Sequence, residues 1–280
     1  MILIDMNQIA VANLMMNLKM NNSKTIDESM VRHMILNSIR MYRMEHHDEY
    51  GEVVLTWDSK HSWRRDYFPE YKASRRKGRE ESDLNWDDIF GTLNKIRNEI
   101  KENFPYKYLE VFGAEADDII GFLCEENKDE KIMIISGDKD FIQLQKYPNV
   151  KQWSPITKKD VNGFDPTIYL KEHILKGDTS DGVPNVLSPD NTFVDGLRQR
   201  PLSRKKIQSW LIGGGSDWND EVKRNFQRNS TLIDLSRTPE ELKNQIRLEY
   251  NNAPHGDRSK LLNYFMQNKL KELTENIGEF

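Results

Sequence analysis

Nine carboxylates stand where short apolar runs end, or in one tight loop. Asp5 closes Ile2-Leu3-Ile4, and Asp58 closes Val53-Val54-Leu55-Thr56-Trp57. Glu115, Asp117 and Asp118 follow a third run, Asp138 and Asp140 a fourth, and Asp178 and Asp181 share the loop from Gly177 to Pro184. Singly, each has an ordinary structural use. An aspartate after a strand caps a helix or shapes a turn, and residues 115–118 could simply complement a helix dipole. Gathered on one edge, without basic neighbours in sequence, nine carboxylates repel one another strongly. Bound hard cations remove that cost, and all-oxygen ligands select Mg²⁺ or Mn²⁺ over zinc or copper. The chemistry that a pair of such ions serves is phosphoryl hydrolysis, one ion activating water and the other stabilising the leaving oxygen.

Gathering these groups requires a particular frame. Apolar, β-branched runs at 1–4, 52–57, 106–111, 131–136 and 150–153 read as buried strands. Helical periodicity fills 9–20, 30–44, 86–100 and 116–124 between them. Alternating strands and helices predict an α/β fold, a mostly parallel central sheet with helices on both faces. The handedness of the crossovers puts the strand C-terminal ends, and so the carboxylates, on one edge. Beyond about residue 163 the strand signal stops, and 166–176, 203–212, 220–234 and 259–277 read as helices. The expected organisation is therefore an α/β core over 1–162, interrupted by a basic insertion at 59–82, and a helical region over 163–280.

Composition narrows the function classes. The chain has 280 residues, 37% hydrophobic and 31% charged, and no apolar run near the ~20 residues of a membrane span. Its start lacks a basic segment before the first carboxylate, so no signal peptide is expected. A single cysteine, Cys124, excludes a disulfide framework and a thiolate zinc site. Six histidines, none in a His-x-x-His-type pair, argue against a zinc hydrolase. A cytoplasmic setting is expected. Net charge is −4, but it is blocked: residues 60–79 hold eight Lys/Arg against two acids, and 198–206 hold Arg198, Arg200, Arg204, Lys205 and Lys206. Such patches fit a polyanionic substrate. In the insertion, Trp63, Tyr67, Phe68 and Tyr71 interleave with Arg64, Arg65, Lys72, Arg75 and Arg76, followed by Lys77 and Arg79. Charge for phosphates and rings for bases make a single-strand surface; the alternative is a solvated helix whose aromatics pack on the core. Pro69 and Gly78 are expected to interrupt any continuous helix there.

These elements in this order resemble the structure-specific 5′ nucleases, the flap endonuclease and 5′→3′ exonuclease family, and within it the phage ribonuclease H branch. The likeness rests on Ile4-Asp5, Trp57-Asp58, Trp63-Arg64-Arg65-Asp66-Tyr67, Glu115-Ala116-Asp117-Asp118, Gly137-Asp138-Lys139-Asp140-Phe141, Lys176-Gly177-Asp178 with Asp181, and the terminal Glu279-Phe280. It implies two Mg²⁺ sites that Mn²⁺ can also fill. Asp5, Asp58, Glu115 and Asp117 would serve the first, and Asp138, Asp140, Asp178 and Asp181 the second, with Asp118 in support. It further implies a helical arch over the site, in which Lys72 and Arg75 clamp the scissile phosphate, and a surface of Arg64, Arg65, Tyr67, Tyr71, Arg76, Lys77, Arg79 and the 198–206 cluster for nucleic acid. The implied activity is cleavage of DNA and RNA–DNA hybrid at a free 5′ end or flap, removing RNA primers during phage DNA replication in the host cytoplasm. A monomer is implied, with a sliding clamp and a single-stranded-DNA-binding protein as candidate partners and Asn276–Phe280 as a candidate clamp peptide.

The likeness has one departure. Val183-Pro184-Asn185-Val186 begins the helix–hairpin–helix pattern of many relatives, and Leu187-Ser188-Pro189-Asp190 does not continue it. Three other readings compete. A silent nucleic-acid-binding relative would have lost ligands, and this chain keeps all eight. A haloacid-dehalogenase-type phosphatase needs Asp-x-Asp where Asp5-Met6-Asn7 stands. A PIN-type ribonuclease shares the acidic core but lacks the insertion and the long helical region.

Overall fold

A computed structural model describes residues 1–20 and 25–280. Six strands, β1 (Ile2–Asp5), β2 (Val53–Thr56), β3 (Lys107–Leu109), β4 (Ile132–Ile135), β5 (Val150–Ser154) and β6 (Lys159–Asp160), form one sheet in the order β3-β2-β1-β4-β5-β6. The first five are parallel, and β6 pairs antiparallel with β5. The two-residue exposed β6 carries too little apolar signal to be read from sequence.

Among the described residues there are twelve α-helices: α1 (Met6–Met20), α2 (Glu28–Tyr50), α3 (Trp63–Tyr67), α4 (Ser74–Glu80), α5 (Trp86–Asn103), α6 (Ala116–Glu126), α7 (Pro166–Lys176), α8 (Arg204–Gly213), α9 (Asp220–Ile233), α10 (Glu240–Asn252), α11 (Leu261–Gln267) and α12 (Lys271–Glu275). Among the described residues no helix is long and apolar enough to cross a membrane. Side chains alternate across the sheet with period two. Ile2, Ile4, Val53, Leu55, Met133 and Ile135 face α1, α2 and α5. Leu3, Val54, Leu109, Ile132 and Ile134 face α6 and α10. Both faces are covered, which is why the strands read as unbroken apolar runs.

The chain from 163 onward is helical, yet it is not one unit. Leu242 and Ile246 of α10, a helix missing from the sequence reading, pack on the α6 face. The expected single helix over 259–277 is broken at Lys269, whose backbone is left-handed (φ 55°). The turn lets Phe265, Leu270, Leu273 and Phe280 join the α5 face around Phe104. Phe280 is fully buried and Glu279 pairs with Arg40, so the expected clamp peptide is docked against the core rather than free. Only α7, α8 and α9, with the loop between α7 and α8, form separate layers, around Phe68, Ile174 and Leu232 and around Leu175, Ile207 and Trp210.

Candidate active site

The sheet order reverses between β1 and β4: the chain proceeds outward from β1 to β2 and β3, then returns to β4 on the other side. Ligands in open α/β sheets bind at such a switch point, beyond the strand C-terminal ends. Asp5 lies there, accepting from Gln8 N at 3.2 Å and from Ser136 Oγ of the β4 end at 3.1 Å. Asp58, past β2, accepts from Ala116 N at 2.7 Å, which draws the first turn of α6, and with it Asp117, to the same edge. Asp138 caps the 3₁₀ turn that follows β4 by accepting from Asp140 N at 2.9 Å. Asp178 and Asp181 come from the loop after α7. Asp178 and Val183 exchange backbone bonds of 2.8 and 2.7 Å there, and only glycine fits at Gly177, where a Cβ would stand 2.3 Å from Val183 O. The result is a cleft of about 720 Å³ lined by Asp5, Asp58, Asp117, Asp138, Asp140, Asp178 and Asp181.

Most of these carboxyls are held in a costly state. Burial, the Asp58 charge and Asp138 push Asp5 up to about 7. Burial and then Asp138 and Asp5 raise Asp117 well above the usual range. Burial also raises Asp58, Asp138 and Asp140, the last to about 7. Two carboxyls are the exceptions. Burial opposes the charge on Glu115, but Lys72 and Arg64, with hydrogen bonds from Lys72 and Tyr71, outweigh it and bring the group to about 2. Asp178 is likewise buried but lowered, by His173 and Ser180. Of the eight expected ligands, Glu115 alone is absent from the cleft lining: Lys72 Nζ meets Oε1 at 2.7 Å and Tyr71 Oη meets Oε2 at 2.8 Å.

The insertion lies across this cleft. Lys72 adopts a left-handed backbone (φ 56°) and donates its N–H to Asp181 O at 2.7 Å. This close approach requires Gly182 opposite, since a Cβ there would come within 3.1 Å of Glu70 O. Lys72 Nζ is also 3.6 Å from Asp181, and Arg75 bonds Asp181 and Ser180 O. Lys72 and Arg75 thus reach from the insertion to the carboxylate edge, and both line the cleft.

Comparison with known proteins gives this geometry a family. Residues 1–173 match the family described as 5′-3′ exonuclease, N-terminal resolvase-like domain, and residues 165–280 match T4 RNase H, C terminal. The chain belongs to the 5′-3′ exonuclease family. Ribonuclease H of Enterobacteria phage T4 is 36% identical over 99% of this chain and 95% of its own length. The 5′-3′ exonuclease of Buchnera aphidicola subsp. Schizaphis graminum is 32% identical over 48% of each chain. The fold is similar to that of the bacteriophage T5 flap endonuclease solved with DNA and metal ions, at TM-score 0.63 and 17% identity, over 89% of this chain and 97% of that one.

Within this 5′ nuclease the structure redistributes several expected roles. Arg64, expected on the nucleic-acid surface, is 2% exposed; it bonds Asp118 at 2.8 Å, Glu115 at 3.4 Å and Leu232 O at 2.8 Å. Tyr71, expected beside it, is buried with its hydroxyl between Glu115 and Asp181. Asp118, expected to support the ions, points away from the cleft into a network of Arg64, Trp63, Thr238 and its own helix cap. A helix turns about 100° per residue, so Asp117 and Asp118 cannot share a face. Gly78 does not interrupt the insertion; it lies inside α4. Arg65 and Tyr67 are exposed, and Arg65 reaches the cleft. Arg76 and Lys77 are exposed in pairs with Glu80 and Glu81, while Arg79 lies over Phe90. Arg198, Arg204, Lys205 and Lys206 are exposed, and Arg200 pairs with Glu221. In place of the hairpin glycines, Asn185 Oδ1 accepts from Leu187 N at 3.0 Å and Asp190 holds Arg224 and Arg228. Sequence reasoning missed Gln8, which accepts from Gly137 N at 2.6 Å, Arg97 at the cleft wall, and His173 between Asp140 and Asp178. The signal for His173 was its place five residues before Asp178; looking for paired histidines passed it over.

Proposed function

We propose that this chain is a divalent-metal-dependent 5′→3′ exonuclease and flap endonuclease of DNA and RNA–DNA hybrids, serving removal of RNA primers during phage DNA replication. The observation that carries the reading is seven aspartates in one cleft, most of them held above their usual range, facing Lys72 and Arg75. That donor set fits hard cations: its oxygens are crowded, buried and short of positive partners. Asp5, Asp58 and Asp117 would hold one Mg²⁺, and Asp138, Asp140, Asp178 and Asp181 the other, with Mn²⁺ as a substitute; Glu115, expected in the first set, is instead held by Lys72, Arg64 and Tyr71. When bound, the ions supply Lewis acidity and an activated water for phosphodiester hydrolysis.

The chain's own residues do the rest. Ser136 Oγ donates to Asp5 and accepts from Asp138 N, which fixes the two halves of the carboxylate set relative to each other. Lys72 and Arg75 take the scissile phosphate from the side opposite the carboxylates and stabilise the charge that develops on it. Arg65 and Tyr67 meet the strand beside the cleft, and Arg198, Arg204, Lys205 and Lys206 meet duplex backbone. The test is a gel with 5′- and 3′-labelled flap, nicked and hybrid substrates in Mg²⁺ and in EDTA. Cleavage from the 5′ end that needs the ion, and that disappears in Asp138→Asn while DNA binding persists, is expected. Full activity in EDTA or in Asp138→Asn overturns the reading.

A further inference from the structure

We infer that His173 is a nitrogen ligand of the second metal site, completing it with Asp140 and Asp178 and giving that site a taste for Mn²⁺-like ions that an all-oxygen site lacks. The inference rests on the two-ion reading above and adds a residue to it.

His173 sits in the last turn of α7, about one turn before the helix stops at Gly177. Asp165 caps the start of α7, accepting from Thr167 N and Ile168 N at 2.9 Å, so the helix is held at both ends. The ring lies edge-on to Tyr169, one turn earlier, with centroids 5.9 Å apart. Its side chain is 15% exposed, as buried as the two carboxylates it faces. Nδ1 is 3.3 Å from Asp140 Oδ1 and Nε2 is 3.7 Å from Asp178 Oδ2. Both separations exceed the roughly 2.7–2.9 Å of a tight charge-assisted hydrogen bond. The Nδ1–Asp140 separation suits two neighbouring donors around one ion, whose bonds of about 2.1 Å set adjacent ligand atoms about 3 Å apart, and it leaves Nε2 facing Asp178. One donor atom from each of Asp140, His173 and Asp178 lies within 4.8 Å of the others, and among the described residues this is the group of histidine and carboxylate donors that converges so.

An apolar side chain at this position would leave Asp140 and Asp178 to repel each other. Imidazole resolves that repulsion as a cation or, when an ion arrives, as a neutral ligand. One ring nitrogen then takes the metal while the other donates its N–H to the adjacent carboxylate, the usual arrangement for a ligating histidine. Mg²⁺ prefers oxygen throughout, whereas imidazole suits the first-row transition ions. The two halves of the cleft therefore differ in kind: oxygen donors alone around Asp5, Asp58 and Asp117, and a mixed set around Asp140 and Asp178.

The test uses the full chain loaded with Mn²⁺ alone. Electron spin-echo modulation should show coupling of one ¹⁴N to one of two bound Mn²⁺ ions, and the coupling should vanish in His173→Gln. By titration, His173→Gln should lose roughly 10-fold or more of its affinity for the second Mn²⁺, since even an outer partner of a metal ligand is worth that much, while Mg²⁺ affinity changes less. The wild-type spectrum decides the matter without relying on the variant's folding. Two bound Mn²⁺ ions without nitrogen coupling, or coupling that survives in a folded His173→Gln, overturn the histidine ligand and leave the two-ion reading intact. Failure of the wild type to bind Mn²⁺ overturns both.

Discussion

Two segments of this chain are basic and opposite in disposition. Residues 60–79 turn part of their charge inward: Arg64 and Lys72 meet Glu115, Asp118 and Asp181 in a nearly water-free layer. Residues 198–206 turn theirs outward, and their one ion pair is the exposed Arg200–Glu221 contact. The difference lies in what surrounds each positive charge. Phe68 and Tyr71 of the first segment are core residues that pack with Ile174, Val183 and Leu232 and carry their basic neighbours down with them. The second segment is anchored by Leu202, the adjoining Ile207 and backbone bonds at Arg200, none of which draws its charges inward. An inward charge is then part of the scaffold or the chemistry, while an outward one is a contact for a polyanion.

This contrast can be broken most forcefully at Arg64. Arg64→Ala leaves the buried Asp118 without its cation, while Glu115 keeps Lys72, and removing one partner of a buried pair costs about 3–5 kcal/mol. A large fall in the thermal or urea midpoint is expected; unchanged stability with weakened DNA binding would return Arg64 to the surface class. Lys72→Ala and Arg75→Ala come next. Each should lower single-turnover cleavage at saturating enzyme by at least ~10-fold, toward the roughly 10²–10³ typical of losing one charge-stabilising donor. Full recovery at saturation would make them mere binding residues. Replacing all five basic residues of 198–206 with alanine should leave that saturated rate unchanged and flatten the salt dependence of binding. At a slope near −0.9 per phosphate, a loss of about three contacts is expected. An unaltered slope would place the duplex elsewhere.

The smallest effect is one of pH. The raised carboxyls Asp5 and Asp140 bind protons more tightly folded than unfolded, so their contribution to stability is full below the usual carboxylate range and is lost as pH rises through about 7. Glu115, lowered to about 2, works the other way, but its contribution is complete above the usual range and does not change between about pH 5 and 7. Metal-free protein should therefore lose stability from about pH 4 to pH 7, and Mg²⁺ should restore it. Lys72→Ala should steepen that loss and the 198–206 variant should not; equal pH profiles in both would erase the distinction between the two segments.

The sheet and the carboxylate edge were legible because both obey local rules. Five strands read as apolar runs, and four of those runs lead into an acid: Asp5, Asp58, Glu115 and Asp138. What stayed hidden depended on side-chain direction and on distant partners. Asp117 and Asp118 are adjacent letters on opposite sides of α6. Nothing near Arg64 in sequence reveals that Leu232 O and Asp118 await it. The break at Lys269 escaped notice because its cause is the packing of Phe265 and Phe280 around Phe104, not a proline or glycine. His173 became visible only when α7 laid it beside Asp140.

The switch point between β1 and β4 also fixes when this site can come into being. Ile2 pairs with Met133, and Asp5 with Ser136 across 131 positions of chain. Closing so long a loop is entropically slow, and parallel pairing between distant strands is a late event in folding. Helices α1 and α2 can form while a ribosome is still translating, but Asp5 has no companion until β4 has emerged, and no complete cleft until Asp181 follows. The carboxylate cleft is thus assembled only once the first 181 residues have emerged, because its topology draws each wall from a distant part of the chain.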